Sequence, residues 1–366
     1  MIYKGDSQIT TNEGSIMKKY LLPENVNWYR ANFHCHTVHS DGAYTPEKVK
    51  EEYKKHGYSI VAYTDHDILL DHSDLNDDEF LALTSSEYAI NEAEPSFPEI
   101  FGVETNRWVR TKCVHLNIFS KDPHNTVMPA TNYEQNWMSK RYPDMKCDGF
   151  VRKYTKEDLN ELIRLCNEAG FLVQLNHPYW SLNEREDYIN MEGLWGLEIL
   201  NYATELETGS EYCPYIYDDM VRNGMFNLVC TMGDDNHNHG DSVRESFGGS
   251  TIIGAKELKY DQIIEAMEKG NIYCTSGRDN PPMFKALYVE DNIIKIDCTP
   301  VTNININGYT RADRHITAPA GETITHAEFP LRESDVYFRV SLRDEYGNNA
   351  HTHTYFVKDF IEKAEA

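Results

Sequence analysis

The chain has eight cysteines in 366 residues, and no two of them form a C-x-x-C pair. That absence removes the common zinc-ribbon and dithiol redox motifs, and scattered thiols fit a reducing cytoplasm better than a disulfide framework. No apolar run is long enough to cross a bilayer. The opening stretch MIYKGDSQITTNEGSIMKKYLLPEN has no uninterrupted apolar core, so no secretory signal is read there and a cytoplasmic location is expected. Basic residues are also few: 35 Lys and Arg against 59 Asp and Glu give a formal net charge of −24. A field of that sign repels a long nucleic acid. A small anionic substrate remains compatible if bound cations reverse the sign locally. Neither a G-x-S-x-G elbow nor a P-loop occurs, so a serine nucleophile on such a turn and a Walker-type phosphate cradle are excluded.

What is present is the composition of a globular protein, 40% hydrophobic and 26% charged, long enough for one large α/β domain and a smaller one. Short β-rich runs alternate with helical patterns, which argues for a mainly parallel sheet with crossover helices. WYRANFHCHT reads as the first strand. TPEKVKEEYKKHG reads as a helix with Thr45 as N-cap, Pro46 in the first turn and Gly57 as the stop. YSIVAYTDHD, FLALTSSEYAI, CVHLNIFS, FLVQLNHP, LWGLEILN and FNLVCTMGDD read as further strands. TKEDLNELIRLCNEAG is a second helix, capped by Thr155 and closed by Gly170. STIIGA and LKYDQIIEAMEKG complete the series. Residues 121–154 break the rhythm and form an irregular insertion that could act as a lid. From about Pro281 the pattern becomes short alternating β segments, which suggests a small β-sandwich without helices. The expected organisation is an extension over 1–27, a main domain over 28–280 and a β-sandwich over 281–366, the sandwich being a possible route to oligomers.

Chemistry-bearing residues collect where strands stop. His34 and His36 end the first strand, one residue apart and so on one face, while Cys35 points to the opposite face and is read as core. Asp41 follows in the loop. His66 ends the second strand, Glu87 lies late in the third, and His115 sits within the fourth. His177 ends FLVQLNHP, and Asp235 with His237 ends FNLVCTMGDDNH. In a parallel barrel such ends converge on one mouth. Imidazole and carboxylate together suit zinc, manganese or iron. A lone histidine after a strand is more often a hydrogen-bonded loop residue. His39, His56, His72, His124, His239, His326, His351 and His353 are read as surface, loop or sandwich residues.

HCHTVHSDGAYTPEKV, the strand ending in TDHD, a later glutamate, LNHP and GDDNH resemble, in this order, the polymerase and histidinol phosphatase (PHP) family of metal-dependent phosphoesterases. The resemblance runs from about residue 28 to 278. The segment IIEAMEKGNIYCTSG resembles a branch that includes carbaryl-hydrolase-like proteins with an added β domain. The resemblance implies a distorted (β/α)7 barrel and three divalent ions. One ion would be held by His34, His36, Glu87 and Asp235. Glu87 would bridge to a second ion bound by His115 and His177, and a third would take Asp41, His66 and His237.

Ions about 3.5–4 Å apart supply hydroxide near neutral pH and neutralise charge on phosphoryl oxygens. The expected reaction is attack of a metal-bridging hydroxide on the phosphorus of a small phosphomonoester or phosphodiester, one that could be nucleotide-like. Asp65 and Asp67 are candidates for orienting imidazoles or moving a proton. Arg244 and Arg278 are candidates for a phosphate clamp, with surface arginine the alternative. Tyr179 and Trp180 could stack on a base or ring, or pack in the core. Hydrolysis of an unphosphorylated ester or carbamate is the second reading, and a metal-stabilised binding module the third. A phosphate site calls for Arg or Lys near the cluster, whereas a carbamate site calls for apolar walls.

Overall fold

The computed structural model describes residues 18–311 and 313–361. Residues 1–17 of the expected extension, and Ala312 and 362–366 of the expected sandwich, lie outside the described residues. The chain divides into two compact units. One comprises residues 30–249; the other joins, among the described residues, 18–29 to 250–361. The segments STIIGA and LKYDQIIEAMEKG therefore group with the β-rich C-terminal residues, not with the main domain as the sequence suggested.

The first unit is built on strands β1 (Asn27–Asn32), β2 (Ile60–Tyr63), β3 (Leu81–Asn91), β4 (Cys113–Ser120), β5 (Phe171–Leu175), β6 (Gly196–Asn201) and β7 (Val229–Gly233). Their order in the sheet is β7-β6-β5-β4-β3-β2-β1. Four of the neighbouring pairs are parallel, but β4 runs antiparallel to both β3 and β5. The physical reason lies in the connection. Residues 92–112 contain no crossover helix, and parallel neighbours need one. Beyond the named strands, the peptides that follow β1 and β7 meet through a parallel bridge between Cys35 and Asn236. There His36 N–H donates to Asn236 O at 3.1 Å and Asp235 N–H to His34 O at 2.9 Å.

Helix α1 (Pro46–Lys55) starts where its cap residues dictate. The Thr45 hydroxyl accepts from Lys48 N at 3.3 Å, and Gly57 leaves the helix at φ 75°. Its buried Val49 and Tyr53 pack with Cys35, Tyr58, Val61 and Phe247 in one apolar cluster, so Cys35 is core, as expected. Helix α2 (Lys156–Glu168) is capped by Thr155, whose hydroxyl accepts from Asp158 N at 3.1 Å. The insertion 121–154 holds a two-stranded ribbon, Val127–Met128 with Lys146–Cys147, and a short 3-10 turn, Trp137–Lys140.

The second unit contains a four-stranded sheet in the order Lys19–Tyr20, Phe284–Glu290, Ile293–Val301, Ile324–Pro330. A further run of strands comprises Ile272–Ser276, Asn349–Thr352, Tyr337–Arg343, Asn303–Gly308 and Arg314–Thr317. One apolar core draws on both, from Leu287, Ile294 and Phe329 to Ile304, Val340 and Ala350. The helix Tyr260–Glu268 belongs to this unit, while the described residues from Pro281 onward hold strands and two 3-10 turns. Among the described residues no helix is long and apolar enough to cross a membrane.

Candidate metal centre

The nine strand-end residues all lie in the first unit, and their side chains converge in three groups. Within each group the potential ligand atoms lie within 4.8 Å of one another. In the first, His34 Nε2 is 3.2 Å from both Glu87 Oε2 and Asp235 Oδ1, and His36 Nε2 is 2.9 Å from Asp235 Oδ1. In the second, His115 Nδ1 and His177 Nε2 stand 3.0 and 3.1 Å from Glu87 Oε1. In the third, Asp41 Oδ2 is 3.7 Å from His66 Nε2 and 3.6 Å from His237 Nε2. Glu87 thus turns one oxygen to each of two groups. His36 also belongs to the third group, since its Nδ1 is 3.7 Å from Asp41 Oδ1. A neutral imidazole has one free lone pair, so His36 can serve only one of them as a ligand.

The reversed direction of β4 explains His115. It is the third residue of its strand, yet antiparallel pairing opposite Ala89 sets it at the same end of the sheet where β3, β5 and β7 finish. Backbone geometry tightens at the site. Asp67, His177 and Asp235 have φ of 53°, 24° and 53°, a region that non-glycine residues rarely enter. Gly233 is required for close approach, because a Cβ there would stand 2.7 Å from Glu198 Oε1 and 3.0 Å from His34 Cβ.

Do these side chains fit cations? His34 Nε2, both ring nitrogens of His36 and Asp235 Oδ1 are buried and make no hydrogen bond. Buried polar atoms left in this way are costly unless something else satisfies them. Their neighbours are carboxylates at 2.9–3.2 Å, aimed at common points and not along hydrogen-bond directions. Burial pulls the His36 imidazole down, but the close carboxylates of Asp235 and Glu87 outweigh it and hold the group up at about 10. Burial would raise Glu87, but the charges of His34, His115 and His66 hold it well below the usual carboxylate range. His34, His115 and His177 are raised as well, by the same acids, whereas burial lowers His66 to about 4. The donor set fits.

Several supporting residues were missed by sequence reasoning. Glu198, fully buried on β6, lies 3.1 Å from His34 Nδ1 and accepts from Asn201 Nδ2 at 2.9 Å. Asn201 also donates to Asp235 Oδ2 at 3.1 Å, and Asn176 to Glu87 Oε1 at 3.0 Å. Ser181 Oγ is 3.0 Å from His177 Nδ1, and the Asp235 carbonyl is 3.0 Å from His237 Nδ1. Such contacts fix which ring nitrogen faces inward. One signal was available: a glutamate inside the apolar strand LWGLEILN must have a partner.

The other candidates separate. Asp65 accepts from Thr37 N, Thr37 Oγ1 and Ser40 N at 2.8, 2.7 and 3.0 Å, so it pins the loop that leads to Asp41. Asp67 pairs with Arg152 and accepts from Trp137 Nε1 at 3.1 Å, which ties the insertion to the turn after His66. Both carboxylates hold loops, whereas the sequence reading had them orienting imidazoles or moving protons. Arg141 donates to Val38 O and Ser40 O from the same insertion. Arg244 is exposed on the loop after His237, and Arg278 is exposed in the second unit. Tyr179 is 48% exposed and Trp180 partly buried.

No family model matches the chain, and no curated protein does. Similar solved structures exist. A two-domain protein from Bacteroides vulgatus, described as containing a predicted PHP-like metal-dependent phosphoesterase, is 14% identical over 95% of this chain and 99% of its own, with a TM-score of 0.43. An amidohydrolase from Chromobacterium violaceum is 15% identical over 66% of this chain and 96% of its own, TM-score 0.36. A lesion-specific endonuclease from Pyrococcus furiosus is 15% identical over 66% of this chain and 56% of its own, TM-score 0.39. Likenesses at this level do not decide chemistry, which rests on the side chains above.

Proposed function

We propose that the chain is a metal-dependent hydrolase of a small phosphorylated substrate, with its reaction centre at the mouth formed by the ends of β1–β7. The bridge between Cys35 and Asn236 supports reading these seven strands as a closed, distorted barrel, with the two sheets of the second unit as a sandwich. The observation that carries the function is the set of buried, hydrogen-bond-free imidazole nitrogens aimed at shared carboxylates. His34, His36, Glu87 and Asp235 would hold one divalent ion, Glu87 with His115 and His177 a second, and Asp41, His66 and His237 a third, zinc, manganese or iron being suited to the donors. Bound ions of this kind lower the pKa of water and neutralise charge on phosphoryl oxygens. The chain's own residues do the rest. Glu87 links two groups, Glu198 and Ser181 set the rings of His34 and His177, and Asp65 fixes the loop carrying Asp41. Arg244 is the candidate within this unit for contact with phosphate.

A second reading has a specific observation behind it. Arg152, the cation joined to the turn after His66, is committed to Asp67 and Thr131, while Trp137 and Trp180 flank the histidines. Such walls also suit an unphosphorylated ester or carbamate. The test is metal analysis of the purified protein, followed by assay of phosphomonoesters, phosphodiesters, carboxyl esters and carbamates. Manganese- or zinc-dependent phosphate release, lost in His34→Ala and Asp235→Ala, is expected. Cleavage of esters or carbamates with every phosphoester untouched would replace the first reading by the second.

A further inference from the structure

The turn after His177 carries more structure than a metal ligand requires. Trp180 stands three residues on, its ring centroid 5.2 Å from that of His177 and 5.6 Å from that of His115. Trp108, 60% exposed on the β3–β4 connection, meets it edge-on at 5.7 Å. The turn is clamped from below. Glu211, 0% exposed, accepts Tyr179 N–H at 3.2 Å and Trp180 N–H at 2.8 Å, one on each carboxylate oxygen. Its own N–H is in turn bound by Glu205 Oε2 at 2.7 Å. A buried carboxylate spent on two backbone amides fixes where the indole stands, which a merely space-filling side chain does not need.

We propose that Trp180, with Trp108 at its edge, is a platform for a planar aromatic group on the substrate, and so a specificity-determining residue. This rests on the reading of the neighbouring histidines as a hydrolytic metal centre. The indole borders the second group, so a phosphoryl group held between the metal groups would place its ester substituent within reach of the platform. Aromatic faces distinguish a flat ring from a saturated one of similar size through their quadrupoles, and stacked bases or aryl rings are the ligands that gain most. The substrate class is a phosphoester whose organic part carries a nucleobase-like or aryl ring close to the scissile bond.

The test uses two non-hydrolysable probes with the same carbon skeleton, one with a flat aromatic ring and one saturated, benzylphosphonate and cyclohexylmethylphosphonate, titrated calorimetrically into the full chain loaded with manganese. A preference for the benzyl probe of roughly 5-fold is expected, the size of one aromatic pair. Trp180→Ala should abolish the preference and Trp180→Phe should keep most of it, with manganese content unchanged in both. Equal binding of the two probes, no binding of either, or a preference that survives Trp180→Ala overturns the proposal. Turnover separates it from the reading beneath. Selective benzylphosphonate binding without hydrolysis of any phosphoester would remove the phosphoesterase and leave the platform. Equal hydrolysis of benzyl and cyclohexylmethyl phosphate, unchanged in Trp180→Ala, would do the reverse.

Discussion

The chain contains the pattern H-x-H three times, at 34/36, 237/239 and 351/353, and the first and last copies live in opposite surroundings. His34 and His36 in the first unit are buried among Glu87, Asp235 and Glu198. In the second unit His351 is buried and His353 partly so, and His351 has the Arg339 guanidinium 2.7 Å from its Nδ1. The consequences run in opposite directions. The first pair is held up by carboxylates, whereas burial drives His351 far down, with Arg339 adding to it, and burial takes His353 to about 4. Spacing alone therefore does not make a cation site; converging acids do. The same residue type is a ligand candidate in one unit and a neutral core residue in the other.

The comparison can be broken most directly by removing an acid. Glu87→Gln keeps the shape of a residue that faces two groups, and we expect it to strip the bound metal and lower kcat/KM by about 10³-fold or more, a typical scale for losing a reaction's electrostatic stabilisation. His351→Gln and His353→Gln should leave metal content and activity intact. Metal retained by Glu87→Gln, measured by mass spectrometry, would undo the distinction. Glu198→Gln comes next. It should weaken metal affinity by about 10–100-fold while the fold, followed by circular dichroism, is unchanged. An unaltered affinity would reduce Glu198 to a filler of the strand.

Protons sharpen the contrast further. His353 is depressed below its unfolded value of 6.5 to about 4, so its contribution is present above pH 6.5 and is lost as pH falls towards 4. His353→Gln should therefore lose less stability on acidification, by about 2 kcal/mol between pH 7 and pH 5, in urea unfolding with metal removed. His36 has the reverse sign. Raised to about 10, it stabilises the metal-free protein below pH 6.5, and that contribution disappears as pH rises through about 10. A cation must displace this proton. Metal affinity should thus rise with pH, and loading should release protons, detectable by calorimetry in buffers of different ionisation enthalpy. Binding with no proton release would contradict the carboxylate-held imidazoles.

Much of the site was legible because its residues sit at ends that local rules mark. Caps at Thr45 and Thr155 and stops at Gly57 and Gly170 fixed the helices, and the one-residue spacings fixed which histidines share a face. The direction of β4 was not read, although a connection without a helical pattern already argued for an antiparallel neighbour. The supporting shell was hidden for another reason. Glu198, Asn201 and Ser181 matter through tertiary contacts with residues 4 to 164 positions away, and nothing in their immediate sequence reports those partners. Asp234 shows how fine the division is. Next to Asp235, it turns to the core and binds Tyr53 Oη and the amides of Phe247, Gly248 and Gly249.

The acids differ in their access to water. The Glu87 and Asp235 side chains are 1% and 10% exposed, whereas that of Asp41 is 45% exposed. With a cation in each group, a chelator would reach the Asp41 position first and the Glu87 bridge last. Stoichiometry would then record how a preparation had been handled, and activity could be switched off by dialysis while two thirds of the cargo stayed aboard.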